Sequence, residues 1–563
     1  PIREHGVSYH RPGLLDDPKA QTALLEWFEK VSKNRDMPWR QEWIDPLTFT
    51  EIEPGVDLQE ALKRRAYQVW ISEIMLQQTR VETVRSYYQT WHTRWPRIED
   101  LAGADQADVL GAWRGLGYYS RATRIHTAAR KIVSNPDMNG MLPELPADLE
   151  AKVPGVGRYT AGAISSIVFG HAVPILDGNV IRVLSRQTGL YANMGSKPPI
   201  TMLWEAADSL VKQTTINELV KRGVKLQDDD IPKSDIPSFW NQALMELGST
   251  ICKPQKPGCR SCPIRSTCMA YIEGERAATF NPETASSEVV TAVAPDTKPD
   301  MTDIEDLELC ILCEPMDEYI MEPPKSIPAA KKAKDKLKQS TLTFGLSRPS
   351  TIVNEPSATE VEQHQKDVQK VIENHVTRFP MKIVTKAARN EECIVCIFKK
   401  SSGDGKDPLW LIEQRPKKGL LASLWQFPSL TIFNDEDAQT NSRGALSQTE
   451  RRKLVAQFAE SLLEAFKPLA VPIFAHDVSE LGSITHIFSH IKLVMHVHLY
   501  WINDQESAKK VKSRNAKKVK SPPPPSSKTS QIDSGKVEFQ DRKWVSQEEV
   551  ESANFGSGMR KCW

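Results

Sequence analysis

The chain has 563 residues, 40% hydrophobic and 26% charged, with 38 prolines and a formal net charge of +1 at pH 7. That length exceeds what one hydrophobic core organises, and a near-neutral total means that any nucleic-acid partner has to be argued from local patches of charge. No apolar run is long enough to span a membrane and no basic-then-apolar leader opens the chain, so it reads as soluble and intracellular with no membrane partner; it starts at Pro1 rather than Met, which leaves an upstream segment and a targeting signal as an expectation.

Residues 1–20 read as an N-terminal extension, and residues 21–275 as helical text. In "ALLEWFEKV" the residues Leu24, Leu25, Trp27, Phe28 and Val31 share one helical side, and similar periodicity runs through "VWISEIMLQQT", "AGAISSIVFG" and "NQALMELGSTI". Few alternating stretches interrupt it, so an all-α domain of many short helices is expected.

Glu73 lies in "VWISEIMLQQT" among Val69, Trp70, Ile74, Met75 and Leu76. An apolar setting would raise its pKa and keep it protonated, although a solvated charge on an amphipathic helix is the commoner case. Asp177 ends "AVPIL" and begins "DGNVIRVL", where a helix dipole would keep a carboxylate ionised; a plain N-cap explains the same spacing. Two carboxyls with opposed environments suit an acid paired with a charge stabiliser.

Between them, "PADLEAK", the turn "VPGVG" and a helix from about Tyr159 make either a helix-hairpin-helix or an ordinary connection in a bundle. In the first reading Gly155 and Gly157 let backbone N–H groups approach a phosphate at a helix N-terminus, which holds a nucleic-acid backbone without reading its sequence.

Four cysteines then crowd together as C-x6-C-x2-C-x5-C: Cys252, Cys259, Cys262 and Cys268. Four thiolates suit zinc or a [4Fe–4S] cluster; structural zinc sites usually pair two short knuckles and only one is present, so the 252–268 loop is read as an iron–sulfur loop. Lys253, Lys256, Arg260 and Arg265 with no acid nearby make it a candidate phosphate-contacting surface.

Residues 276–375 read as an interdomain linker, acidic and then basic. Twelve acids face the single Lys298 between Glu283 and Glu322, and six lysines fall between Lys325 and Lys338. Residues 376–563 change to strands, "ECIVCIFKK", "PLWLIEQRP" and "HIKLVMHVHLYW", around a helix near "ERRKLVAQFAESLLEAF", an α+β domain with a disordered insertion at about 503–536.

Taken in order, "PWR", "SEIMLQQTRV", "GLGYYSRA", "VPGVGRYTAGA", "LDGNV", "NQALMELG" and the cysteine loop resemble the MutY-type adenine DNA glycosylases of the helix-hairpin-helix superfamily. The match spans about Leu24 to Ala270, and the C-terminal unit resembles that family's MutT-like, Nudix-related domain. The resemblance implies a monofunctional glycosylase that flips adenine out of double-stranded DNA at A:8-oxoguanine or A:G mispairs and hydrolyses its N-glycosidic bond.

It implies Glu73 as general acid, Asp177 as stabiliser of the oxocarbenium-like sugar with Asn179 positioning it, and Tyr159 where lyase relatives carry a nucleophilic lysine. Arg35, Trp39, Leu76 and Gln242 match adenine-pocket positions. Gln77, Gln78, Thr79, Leu116 and Tyr118 match positions that wedge into the duplex or touch the lesion strand. Phe488, Ser489 and His490 in "HIFSHIKL" match the lesion-reading loop, for which a turn joining two strands is the alternative.

True Nudix hydrolases hold magnesium on "REUxEE", U being aliphatic; the helix near Arg451 lacks it, so the domain is expected to read a lesion without hydrolysing a nucleotide. Cys310 and Cys313 in "CILCEP" resemble half of a zinc site found in some members' linkers. "QSTLTFG" from Gln339 loosely resembles a sliding-clamp box without its closing aromatic pair. A sliding clamp, a checkpoint clamp or an AP endonuclease are the linker partners the resemblance suggests, for a monomer in the nucleus, with the mitochondrion as a second compartment. The rivals are an endonuclease III-like glycosylase/AP lyase and a non-catalytic mismatch sensor.

Overall fold

The computed structural model describes residues 5–50, 55–226, 230–279, 310–316, 358–383, 388–400, 407–416, 421–434, 448–464, 478–488, 490–502 and 541–563. Most of the acidic tract, the lysine run 325–338, the clamp-box-like stretch 339–345, the insertion 503–536 and Ser489 lie outside the described residues. The chain divides into two compact units, Pro1–His92 with Pro96–Ile98 and Lys131–Val384, and Thr93–Trp95 with Glu99–Arg130 and Thr385–Trp563.

Twelve α-helices precede the linker among the described residues: α1 Pro18–Ser32, α2 Leu58–Leu76, α3 Val81–Arg94, α4 Ile98–Gly103, α5 Gln106–Ala112, α6 Ser120–Ser134, α7 Pro146–Lys152, α8 Arg158–Phe169, α9 Gly178–Gln187, α10 Lys197–Lys221, α11 Ile236–Thr250 and α12 Met269–Thr279. Asp57 caps α2 by accepting from the Glu60 amide, and from Val69 to Met75 every residue of that helix is buried. The same holds for Thr160 to Phe169 in α8. Helices buried on all sides sit at the centre of a bundle, and α2 packs on α8. Helix α11 contacts α1, α8, α9 and α10 and closes the core of this unit.

Glycine makes one of these approaches possible. A Cβ on Gly162 would collide with the carbonyl oxygen of Pro174, so α8 touches the segment that leads into Asp177 only because position 162 has no side chain. Asn241 of α11 fastens the same segment, donating to Ser166 Oγ at 3.0 Å and to the Val173 carbonyl at 2.9 Å.

Residues 276–375 are not linker throughout. Ala358–Val376 form a helix, α13, packed along α12, and a Cβ on Gly274 would lie 3.1 Å from Ile372 Cα. Ile372, Val376 and Phe379 share an apolar cluster with Cys259, Cys268 and Tyr271, so this stretch covers the cysteine loop. The acidic tract upstream masks the amphipathic spacing of Val368, Ile372 and Val376, which burial against α12 makes meaningful.

Among the described residues the second unit holds a seven-stranded sheet in the order β3-β2-β1-β6-β5, with β4 paired to β1 and β7 to β2. The strands are β1 Arg389–Lys400, β2 Leu409–Gln414, β3 Trp425–Gln426, β4 Ser429–Asn434, β5 Val478–Ile487, β6 Ile491–Ile502 and β7 Arg542–Val545. β1 and β6 run parallel, from Arg389 opposite Ile491 to Lys400 opposite Ile502. Cys393, Val395 and Ile397 fill one face of β1, and Ile394, Cys396 and Phe398 fill the other. The apolar run of "CIVCIF" is thus the mark of a central strand buried on both sides. The second face is covered by helix α14, Gln448–Glu464, through Val455, Ala459 and Leu462.

Candidate active site and cysteine loop

Glu73 is 6% exposed on the buried half of α2. The Tyr159 hydroxyl, from the first turn of α8, donates to its Oε2 at 2.7 Å and also lies 3.2 Å from Met245 Sδ of α11. Burial is the main cause that pushes the Glu73 carboxyl up to about 7; the Tyr159 hydrogen bond and the Arg40 charge pull it down, and the Asp177 charge adds to the rise. The solvated alternative for Glu73 is excluded by this burial.

Asp177 is an N-cap and more. Its Oδ1 accepts from the amides of Asn179 at 3.0 Å and Val180 at 2.7 Å, and its Oδ2 accepts from Asn179 Nδ2 at 2.8 Å. Three donors orient the carboxylate at the start of α9. Asn179 is held in turn by Arg182 Nη2, 2.8 Å from its Oδ1, and Arg182 also donates to the carbonyls of Gly248 at 2.6 Å and Cys252 at 2.7 Å. A Cβ on Gly248 would sit 2.7 Å from Asn179 Cβ, so the glycine of "NQALMELG" makes room for the residue that holds Asp177.

The chain of bonds continues to the cysteine loop. Arg186, one turn after Arg182, is 1% exposed and donates to Cys252 Sγ at 3.2 Å and to the carbonyls of Lys253 and Phe379. Cys252, Cys259, Cys262 and Cys268 line a single cavity with Arg186, Pro257 and Tyr271. Four soft donors converging beside a buried cation, with no carboxylate on the cavity wall, suit a centre held by thiolates. Helix α9 therefore carries Asp177 at one end and a guanidinium against the cysteine loop at the other.

The turn before Tyr159 matches its sequence pattern. Gly155 has φ +85°, which favours glycine, while Val153 and Val156 are buried. Gly157 caps α8 without a side-chain hydrogen bond and is exposed, and a Cβ there would meet no protein atom within 4 Å. The first amides of α8 are thus open to an anion.

Other expected residues are placed as follows. Arg35 pairs with Glu246 at 3.1 Å, Trp39 is buried with its ring edge-on to Tyr88, Leu76 ends α2 half-buried, and Gln242 donates to Ser238 within α11. Gln77 and Thr79 are half-buried and Gln78 is exposed at φ +56°. Tyr118 is 52% exposed at φ +47°. Leu116 is 6% exposed and its carbonyl accepts from Arg121. Phe488 and His490 lie on the turn joining β5 to β6, where the Phe488 ring stands edge-on to His486.

Arg40, Glu246, Arg182 and Arg186 were not singled out from sequence. Glu246 is 1% exposed in its side chain and binds Arg40 at 2.7 Å as well as Arg35. The signal for it was a lone acid in the apolar helix "NQALMELG", the same signal that marked Glu73. Cys310 and Cys313 also acquire partners from afar, since the ligand atoms of His5, His10, Cys310 and Cys313 all lie within 4.8 Å of one another.

With this geometry stands a family match. Residues 71–202 match the HhH-GPD superfamily base excision DNA repair protein model, and residues 402–563 match the NUDIX domain model. Adenine DNA glycosylase from Homo sapiens is 33% identical over 497 residues, covering 87% of this chain and 68% of that protein. The enzyme of the same name from Mus musculus is 32% identical, covering 87% and 72%, and that from Schizosaccharomyces pombe is 29% identical, covering 88% and 84%. The chain belongs to the adenine DNA glycosylase family.

Proposed function

We propose that this chain excises adenine opposite 8-oxoguanine or guanine by hydrolysis of the N-glycosidic bond and leaves the DNA backbone uncut. The observation that carries this reading is the Tyr159–Glu73 hydrogen bond. A lyase needs an amine near the sugar to form a Schiff base; here a phenol stands in that place and serves the acid.

Glu73, poised near 7, is protonated in a large share of molecules at neutral pH and can pass its proton to N7 of a flipped adenine, which then departs as a neutral base. Asp177, oriented by Asn179, faces the positive charge that develops on the sugar; electrostatic stabilisation of this kind acts strongly where water is excluded. The open amides at the start of α8 hold a phosphate. Cys252, Cys259, Cys262 and Cys268 hold a [4Fe–4S] cluster; hydrolysis needs no redox step, and the cluster supplies a rigid support for the basic loop. The turn at Phe488–His490 reads the base opposite the adenine, and the linker recruits a clamp or an AP endonuclease in the nucleus.

The test is single-turnover reaction of the full chain with A:8-oxoguanine, A:G and A:T duplexes, with borohydride trapping in parallel. Free adenine release with strand breaks only after alkali is expected on the first two substrates. Stoichiometric covalent trapping, or equal rates on A:T, would overturn the reading.

A further inference from the structure

We propose that Arg121 is the positioning residue of an aromatic wedge: from the first turn of α6 it clamps the turn 115–118 so that the Tyr118 ring stands ready to enter an unstacked step of the duplex. The proposal rests on the reading that this chain opens DNA to reach adenine. It concerns how the wedge is held rather than which base leaves.

Tyr118 is a costly residue to display. It is 52% exposed at φ +47°, a left-handed conformation that a bulky side chain seldom adopts and that persists only where the surroundings over-determine it. Gly115 at φ +101° and Gly117 at φ +73° precede it, so the turn is built on positive φ. A flat ring held out in this way fills no core; it offers a face on which a base can stack.

The surroundings that fix the turn are Arg121 and Trp113. Arg121 is 7% exposed, and its Nη2 donates to the Leu116 carbonyl at 3.0 Å and to the Gly117 carbonyl at 3.1 Å. Its guanidinium carbon lies 5.2 Å from the centroid of the Trp113 ring and 5.7 Å from that of Tyr118, within cation–π reach of both. Trp113, fully buried at the C-cap of α5, donates from Nε1 to the same Gly117 carbonyl at 3.0 Å. The Arg121 amide donates to the Tyr118 carbonyl at 2.9 Å. The carbonyls of Leu116, Gly117 and Tyr118 are thus all tied to Arg121, and the wedge ring itself rests against its cation. Burial is the main cause that lowers the Arg121 pKa, to about 10, so the group stays charged at neutral pH. Lysine would keep the charge but not the plane, and it is the plane that meets two rings while donating at its edge.

The test places 2-aminopurine, a base analogue that brightens on unstacking, beside 8-oxoguanine opposite adenine, and compares the full-length wild type with Arg121→Lys, Arg121→Met and Gly117→Ala. A Cβ on Gly117 meets no protein atom within 4 Å, so that variant disturbs the turn through its backbone alone and leaves the buried cation in place. Brightening on binding is expected to be weaker in all three variants, with single-turnover adenine release slowed roughly tenfold or more on a fully paired duplex. Where the pairs flanking the lesion are mismatched, unstacking costs less and the deficit should shrink to about twofold. A merely structural defect would slow both duplexes alike. A cooperative melt and unchanged affinity for an undamaged duplex identify the folded variants, and Gly117→Ala carries the test if the arginine variants do not fold. Fluorescence needs binding only, so it reads the wedge separately from the identity of the released base. Wild-type brightening in folded variants, or an equal deficit on the two duplexes, would overturn the proposal.

Discussion

The Tyr159 hydroxyl donates to Glu73 Oε2 at 2.7 Å, joining the first turn of α8 to the buried last turn of α2. A donor to a carboxylate favours its charged form, and burial disfavours it. Burial wins here, which leaves the carboxyl near neutrality, where an acid both holds its proton and can give it up.

Replacing Glu73 tests both halves of that balance. Its folded pKa of about 7 exceeds the ordinary 4.5, so the folded protein holds the proton more tightly than the unfolded chain. The associated stability is complete below the unfolded value and is lost as pH rises through about 7, on the order of 3 kcal/mol in all. Glu73→Gln is expected to gain stability on the wild type between pH 5 and pH 8.5 by about 2 to 3 kcal/mol, seen as a relative rise in melting temperature, while adenine release falls roughly 10²- to 10⁴-fold. Thermal melts at both pH values and single-turnover kinetics check it.

Tyr159→Phe removes a hydrogen bond that pulls the Glu73 pKa down. The alkaline limb of the single-turnover pH profile should therefore move to higher pH than in the wild type, with Glu73 still able to act. A limb that moves to lower pH, or vanishes, contradicts the sign.

Asp177 caps α9 and is proposed to stabilise charge on the sugar, and two substitutions separate the two roles. Asparagine is a good N-cap, so Asp177→Asn should melt near the wild type and yet lose adenine release. Asp177→Ala should lose the activity and also about 1 kcal/mol of stability. Equal activity in Asp177→Asn would remove the charge-stabilising role.

Gly248→Ala places a methyl group 2.7 Å from Asn179 Cβ and 2.9 Å from its carbonyl oxygen. Backbone and side chain must shift at the residue that donates to Asp177 Oδ2. A loss of adenine release of about tenfold or more is expected, since small misplacement at a catalytic group is costly. Duplex affinity measured by anisotropy should change far less than the rate.

Glu246 neutralises two arginines in the interior. Glu246→Leu leaves Arg40 buried without its 2.7 Å partner, and breaking a buried pair in this way costs about 3 to 5 kcal/mol. Urea unfolding measures it; a change under about 1 kcal/mol would mean that Arg40 finds solvent.

Much of this enzyme was written in local pattern. The apolar flank of Glu73, the proline–glycine turn before Tyr159, the cap at Asp177, the four-cysteine spacing and the ordered motifs of the adenine DNA glycosylase family all lie within short windows, because helix periodicity, turn geometry and ligand knuckles are set by residues near one another in the chain. The two buried faces of β1 were likewise readable as an uninterrupted apolar run.

What the tertiary structure alone decided is who meets whom. That Glu246 would bind Arg35 and Arg40, that Arg182 and Arg186 would carry a line of hydrogen bonds from Asn179 to Cys252, and that α13 would cover the cysteine loop depend on packing between segments tens to hundreds of residues apart. So does the approach of His5 and His10 to a knuckle some 300 positions away, for which "CILC" by itself showed only half a site. A sequence pattern states which chemistry a side chain can do; burial, and the desolvation and pairing that come with it, settle which of those chemistries each residue performs.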